Sequence, residues 1–132
     1  MANHRMDIKI YYEDTDCGGV VYYANYLRYM ERARTEYMAD RGAPVKELMD
    51  LGIIFVIARV EIDYRMSGRY GDTIVIETWV SECTAASITF RHVMKQKESG
   101  KVLTEAMAKA VCVDPSIKPK RIPKDIAEKL TA

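Results

Sequence analysis

Apolar side chains change their spacing once along this chain, and the change divides it into a helical part and a sheet part. Between Tyr23 and Arg41 the residues Tyr23, Tyr26, Leu27, Met30, Ala33, Tyr37 and Met38 recur at three- and four-residue steps, with Arg28, Arg32, Thr35 and Glu36 between them. That period predicts an amphipathic helix of about five turns. Arg41-Gly42-Ala43-Pro44 ends it, and Pro44 is placed to open a short second helix that runs through Leu51 and stops at Gly52. From Ile53 the spacing shortens to two residues, which predicts strands over 54–66, 72–83, 87–97 and 102–113. A further strand, Met6 to Tyr12, precedes a loop, Glu13 to Val20, in which Asp14, Asp16, Gly18 and Gly19 break regular structure. The connections Ser67-Gly68-Arg69-Tyr70-Gly71-Asp72, Thr84-Ala85-Ala86 and Glu98-Ser99-Gly100-Lys101 are too short for crossover helices, so an antiparallel sheet is expected. One face of the last strand carries Thr104, Ala106, Ala108, Ala110 and Cys112, a row of small side chains over which the long helix is expected to lie. The expected fold class is therefore α+β, a long helix wrapped by an antiparallel sheet of about five strands, with two open edges that self-association would cover.

Composition narrows the function classes. The 132 residues leave room for one domain, 1–132, in which 118–132 form a basic, proline-bearing C-terminal arm and a short helix. Twenty Lys and Arg against nineteen Asp and Glu give a formal charge of +1, so no global field favours nucleic acid or an anionic membrane. Three cysteines, Cys17, Cys83 and Cys112, form no CxxC pair and are expected to be reduced thiols in a cytoplasmic protein. The stretch Met1 to Asp7 is polar, and the longest apolar run, Ile53 to Ala58, is too short to span a bilayer, so neither export nor membrane insertion is expected. The two histidines, His4 and His92, have no carboxylate or thiol at ligand spacing, so no bound metal is expected.

The densest polar cluster beside a predicted helix start runs from Glu13 through Asp14, Asp16, Cys17, Gly18 and Gly19 to Tyr26. N–H groups at a helix N-terminus carry partial positive charge and can hold an oxyanion as an acyl group is attacked, while glycines let a substrate approach the backbone. A carboxylate there can serve as general base toward water or as nucleophile. On residue types alone the commoner arrangement, with Asp14 and Asp16 capping a helix and the glycines forming a turn, stands ahead.

A resemblance changes that balance. The run Tyr11-Tyr12-Glu13-Asp14-Thr15-Asp16-Cys17-Gly18-Gly19-Val20-Val21-Tyr22-Tyr23-Ala24-Asn25-Tyr26-Leu27, continued by Glu31-Arg32-Ala33-Arg34, closely resembles the signature of the 4-hydroxybenzoyl-CoA thioesterase family of hotdog-fold proteins. It is most similar to the branch that includes the acyl-CoA thioesterase associated with the bacterial Tol-Pal envelope system. Tyr64-Arg65 through Arg69-Tyr70-Gly71-Asp72 resembles a second landmark, and Arg121-Ile122-Pro123 a weaker third. The resemblance implies a hotdog fold, hydrolysis of an acyl-CoA thioester, and no cofactor, coenzyme A being part of the substrate. It also implies a dimer with a continuous sheet, commonly paired into a homotetramer, with active sites between subunits. Residue by residue it places the catalytic carboxylate at Asp16 and leaves Asp14 structural. A backbone N–H near Tyr23 would polarise the thioester carbonyl, and Gly19 and Val20 would line the substrate. Many envelope-associated members carry histidine at position 23, whereas the hydroxybenzoyl enzyme is similar to this chain in having tyrosine. With no imidazole in the motif, the burden falls on Asp16, with Tyr23 shaping the pocket.

Other residues carry weaker expectations. Asn25 is placed to orient groups near the thioester or to bond backbone at the helix start, and Glu31 to pair with Arg28 or Arg34. Cys17 as nucleophile would need a base that is absent from its neighbourhood. No GxSxG elbow, P-loop or dinucleotide fingerprint occurs. The phosphates of coenzyme A call for cations, with Arg65, Arg69, Arg91, Lys118, Lys120 and Arg121 as candidates, although the C-terminal cluster also suits a solubilising tail. His92 shares a strand face with Ile88 and Phe90 and is expected in or beside the core. Two rivals remain: a protein that binds acyl-CoA or acyl carrier protein thioesters without turnover, and a dehydratase, which would need a histidine at the site.

Overall fold

The structure, a computed structural model, describes residues 3–132, so Met1 and Ala2 of the polar N-terminal stretch lie outside it. Five strands, β1 (His4–Lys9), β2 (Ile54–Tyr64), β3 (Thr73–Cys83), β4 (Ser87–Gln96) and β5 (Val102–Val113), form one sheet in the order β1-β3-β4-β5-β2 with every neighbour antiparallel. Short hairpins make β3, β4 and β5 adjacent, while β1 and β2, separated in sequence by α1 (Asn25–Asp40) and α2 (Val45–Asp50), close the two edges. A last helix, α3 (Lys124–Thr131), follows.

The register sorts side chains by face. Thr78, His92, Ala106 and Ile62 stand opposite one another in a row on the helix side, and Trp79, Arg91, Met107 and Glu61 in the next row on the outer side. Two apolar clusters fill the helix side. One joins Tyr26, Tyr29, Met30 and Ala33 of α1 to Ile74, Ile76, Met94, Ala106 and Ala108. The other joins Tyr37 and Met38 to Leu48, Phe90, Ala110, Cys112, Ile126 and Leu130.

Three expectations need correction. The backbone of α1 runs closest to β3, not over the small residues of β5. The room left by Ala106, Ala108 and Ala110 goes to the bulky tyrosines of α1, which share clusters with them. The helix starts at Asn25, two residues after Tyr23, and β1 ends at Lys9 because Tyr12–Asp14 form a 3-10 turn. The C-terminal segment carries the expected short helix, α3, and packs on the core: Ile122, Ile126 and Leu130 are buried, and the Tyr37 hydroxyl donates to the Leu130 carbonyl at 2.8 Å. Tyr37→Phe would leave that buried carbonyl unpaired, and urea unfolding should show a loss of about 1–2 kcal/mol. An unchanged midpoint would mean that this bond does not hold α3. No helix among the described residues is long and apolar enough to cross a membrane.

Candidate active site

The loop between β1 and α1 is built from short-range hydrogen bonds. The Asp14 carboxylate accepts the Tyr11 N–H at 2.8 Å and caps the 3-10 turn. The Asp14 carbonyl accepts from the Tyr22 N–H at 2.9 Å and from the Asn25 side-chain amide at 2.7 Å, tying the loop to the start of α1. Within it, Asp16 Oδ1 accepts the Gly18 N–H at 2.8 Å, and the Gly19 N–H returns to the Asp16 carbonyl at 3.1 Å. Gly19 sits at φ +76°, a left-handed conformation that glycine adopts without strain.

A distant segment walls this loop. Val20 bridges Arg69, the Val21 N–H donates to the Gly68 carbonyl at 2.8 Å, and the Tyr70 N–H donates to the Gly19 carbonyl at 3.1 Å. Gly68 is confined: an added Cβ would lie 3.2 Å from Ile74 and 3.3 Å from Val21, while its N–H donates to the Tyr26 hydroxyl at 2.9 Å. The two stretches that stand out in the sequence, around Asp16 and around Arg69, are thus two sides of one structure.

Helix α1 begins without a side-chain cap. Ala24 occupies the N-cap position, no acidic residue stands in the first turn, and among the described residues the N–H groups of Tyr23 and Ala24 donate to no carbonyl or side chain. The arrangement in which Asp14 and Asp16 cap α1 therefore does not occur, since each caps a turn before it. An uncapped helix start beside an exposed carboxylate can stabilise an oxyanion next to a base or nucleophile. Tyrosines surround this junction. Tyr23 is 62% exposed, its carbonyl accepts the Tyr64 hydroxyl at 3.1 Å, and the Tyr23–Tyr64 and Tyr26–Tyr64 ring centroids are 6.5 and 5.5 Å apart. A cavity of about 210 Å³ opens between Val21, Tyr23, Tyr26, Tyr64 and Met66. Burial pushes the pKa values of Tyr26, Tyr29 and Tyr64 upward, and the Asp14 carboxylate pushes Tyr29 further. These phenols stay protonated at neutral pH and serve as donors, not bases.

The sequence profile of the thioesterase-like superfamily matches residues 11–130. The chain belongs to that superfamily. It is 37% identical over 123 residues to the acyl-CoA thioester hydrolase YbgC of Escherichia coli O6:H1, covering 92% of this chain and 91% of that protein. It is 38% identical over 121 residues to the acyl-CoA thioesterase YbgC of Haemophilus influenzae, covering 90% and 88%. In fold it is similar to 4-hydroxybenzoyl CoA thioesterase from Pseudomonas sp., with a TM-score of 0.87 at 24% identity over 96% of this chain and 98% of that one. The hotdog fold expected from the sequence is the fold found.

Within this thioesterase-like chain the expected site residues separate. Asp16, Gly19, Val20, Tyr23 and Asn25 come together at the junction, with the Asn25 amide spent on the loop backbone. Arg65 lines the cavity beside Tyr23 and Tyr64 and is ion-paired to Glu105 at 2.6 Å. Arg91 stands on the outer sheet face with Trp79 and Met107, on the far side of the sheet from α1, because strand alternation turns it away from Phe90. Lys120 and Arg121 directly precede Ile122, at the end of the core occupied by Tyr37 and Met38, while Asp16 lies at the Tyr26 end. No phosphate-binding cation from the C-terminal cluster therefore reaches Asp16 within one chain. Glu31 accepts from the Thr35 hydroxyl at 3.1 Å and does not ion-pair with Arg28 or Arg34. Cys17 is exposed, and neither histidine is near it: His4 Nε2 is 3.0 Å from Asp40 at the other end of α1, and His92 is buried. The hydroxyls of Tyr26 and Tyr64 are site features that periodicity did not single out, since it assigns tyrosines to the core without saying what their oxygens meet.

Proposed function

We propose that this chain hydrolyses acyl-CoA thioesters to a free carboxylate and coenzyme A, with Asp16 as the catalytic carboxylate and the N–H groups of Tyr23 and Ala24 as the oxyanion hole. The observation that carries this reading is the junction itself, an uncapped helix start with two unspent N–H groups beside an exposed Asp16. Gly18 occupies Asp16 Oδ1 and leaves Oδ2 without a partner among the described residues. Two routes use this geometry. In one, Asp16 attacks the thioester carbonyl, the C–S bond breaks to release the coenzyme A thiolate, and water cleaves the resulting anhydride. In the other, Asp16 takes a proton from water as its oxygen bonds to the carbonyl carbon, and the thiolate leaves with that proton. In both, negative charge gathers on the carbonyl oxygen, where preorganised donors act most strongly.

Coenzyme A enters as part of the substrate, and an acyl carrier protein would present the same thioester. The separation of Arg91, Lys120 and Arg121 from Asp16 within one chain supports a site completed by a second copy, in a cytoplasmic dimer or tetramer. The edge strand β2 suits that pairing: on its helix-side face Ile57 is 43%, Val60 36% and Tyr64 49% exposed. Thiol release from a panel of short, long and aromatic acyl-CoA esters tests the activity. Turnover is expected for at least one of them, whereas binding of the whole panel without thiol release would assign the chain to the thioester-binding proteins.

A further inference from the structure

We propose, on the hydrolase reading of this junction, that Tyr64 is a positioning residue for the reaction: its hydroxyl holds the peptide between Tyr23 and Ala24 so that the Ala24 N–H faces the developing oxyanion. An α-helix directs each N–H to the carbonyl four residues earlier, which would hand the Tyr23 carbonyl to the Leu27 N–H. Here the Leu27 N–H turns instead to the Ala24 carbonyl at 3.2 Å. The Tyr23 carbonyl is left outside the helix ladder, and the Tyr64 hydroxyl, at 3.1 Å, is the only donor it meets among the described residues. A carbonyl and the next residue's N–H share one rigid trans plane and point in opposite directions. A bond that fixes the Tyr23 oxygen therefore also aims the Ala24 N–H, one of the two unspent donors. Without the Tyr64 hydroxyl, the Tyr23 oxygen is free to swing back to Leu27 and turn the Ala24 N–H with it.

Tyr64 is itself held from two sides. It is the last residue of β2, paired with Thr104 of β5, and the N–H that follows it, of Arg65, donates to the Leu103 carbonyl at 2.8 Å. Its ring meets Tyr26 edge to face, with centroids 5.5 Å apart, and Tyr26 is buried with its hydroxyl accepting the Gly68 N–H at 2.9 Å. Burial, and then the Tyr23 phenol, pushes the pKa of Tyr64 upward, so it stays a donor. A hydrogen bond at a carbonyl polarises the amide and strengthens the donor at its other end. That gain falls where negative charge gathers in the transition state, so it acts on kcat more than on binding. The bond lies within one chain and needs no access to the exposed side of the ring, which stays available to a second copy along β2.

Tyr64→Phe removes the hydroxyl and keeps the ring. For an acyl-CoA ester that the wild type hydrolyses, kcat should fall about tenfold while KM stays within about twofold, a fraction of the roughly hundred- to thousandfold cost of losing a whole oxyanion donor. Incorporation of meta-fluorotyrosine in place of Tyr64, a stronger donor on the same frame, should raise kcat about twofold. In amide NMR spectra of the full chain, the Ala24 and Leu27 resonances should both move in Tyr64→Phe. A kcat within about twofold of wild type, a rise in KM with kcat unchanged, or an Ala24 resonance left in place would overturn this role. Where Tyr64→Phe fails to fold, the fluorotyrosine protein decides, and an unchanged or lower kcat counts against Tyr64. The hydrolase reading fails separately: a wild type that releases no thiol from any ester removes both, whereas wild-type turnover matched by Tyr64→Phe removes only the role of Tyr64.

Discussion

Asp16→Asn should lower kcat for thioester hydrolysis by about a thousandfold or more, the scale on which removal of an essential nucleophile or base acts. The substitution is sharp because an asparagine amide keeps the shape of the side chain and an oxygen for the Gly18 N–H, the 2.8 Å bond that holds it in the loop. What it removes is the lone pair that attacks the carbonyl or accepts a proton from water. Asp16 is exposed and caps only a tight turn, so the melting temperature should move little and thioester binding should survive. Thiol release and ligand binding on the same preparation make the comparison. Activity within tenfold of wild type would take Asp16 out of the reaction and leave the helix N-terminus without its partner.

Acid should destabilise the fold through His92. The imidazole is 1% exposed, its Nδ1 lies 2.9 Å from the Thr78 hydroxyl, and its Nε2 has no partner among the described residues. Burial, and then the Arg34 charge facing it from α1, lowers its pKa from 6.5 to about 3. The folded state therefore holds the neutral ring while the unfolded chain takes up a proton below its ordinary pKa. Stability is full above about pH 6.5 and is lost as pH falls from there toward 3, by about 3 kcal/mol at pH 4.5 and roughly 5 kcal/mol over the whole window. Urea unfolding of wild type and His92→Gln at pH 7.5 and pH 4.5 isolates this group from the carboxylates. The variant should start less stable and lose about 3 kcal/mol less between the two conditions; equal losses would mean that His92 accepts its proton in the folded state.

Much of the fold was legible in the sequence because its signals are local. The switch from a three-to-four spacing to a two-residue spacing located α1, α2 and β2 to β5 within about two residues, the usual uncertainty of element ends. The short connections implied antiparallel neighbours, and β3, β4 and β5 are such neighbours. The loop chemistry was equally near at hand. Asp16, Gly18, Gly19 and Tyr23 lie within eight residues, so an ordered run of residue types could point to them, and hydrogen bonds of two to four residues' span hold the loop in shape.

Alternation along a strand tells which side chains share a face, but not what covers that face, which depends on contacts made by residues far apart in the chain. Arg91 could be placed opposite Phe90 from its sequence, yet only the sheet shows that this puts it on the side away from α1. Arg65 looked free to meet phosphate, and the register of β2 on β5 delivers it to Glu105. The C-terminal residues looked like a soluble tail because Lys118, Lys120 and Arg121 dominate their composition. Ile122, Ile126 and Leu130, spaced four apart, are buried because α1 offers Tyr37 and Met38 to pack against. The sequence by itself determined the elements and the run of candidate site residues, since both are written in neighbouring residues; tertiary packing decided the uncapped start of α1 and the neutral His92, since charge and hydrogen bonding there depend on burial between elements that meet only in the folded chain.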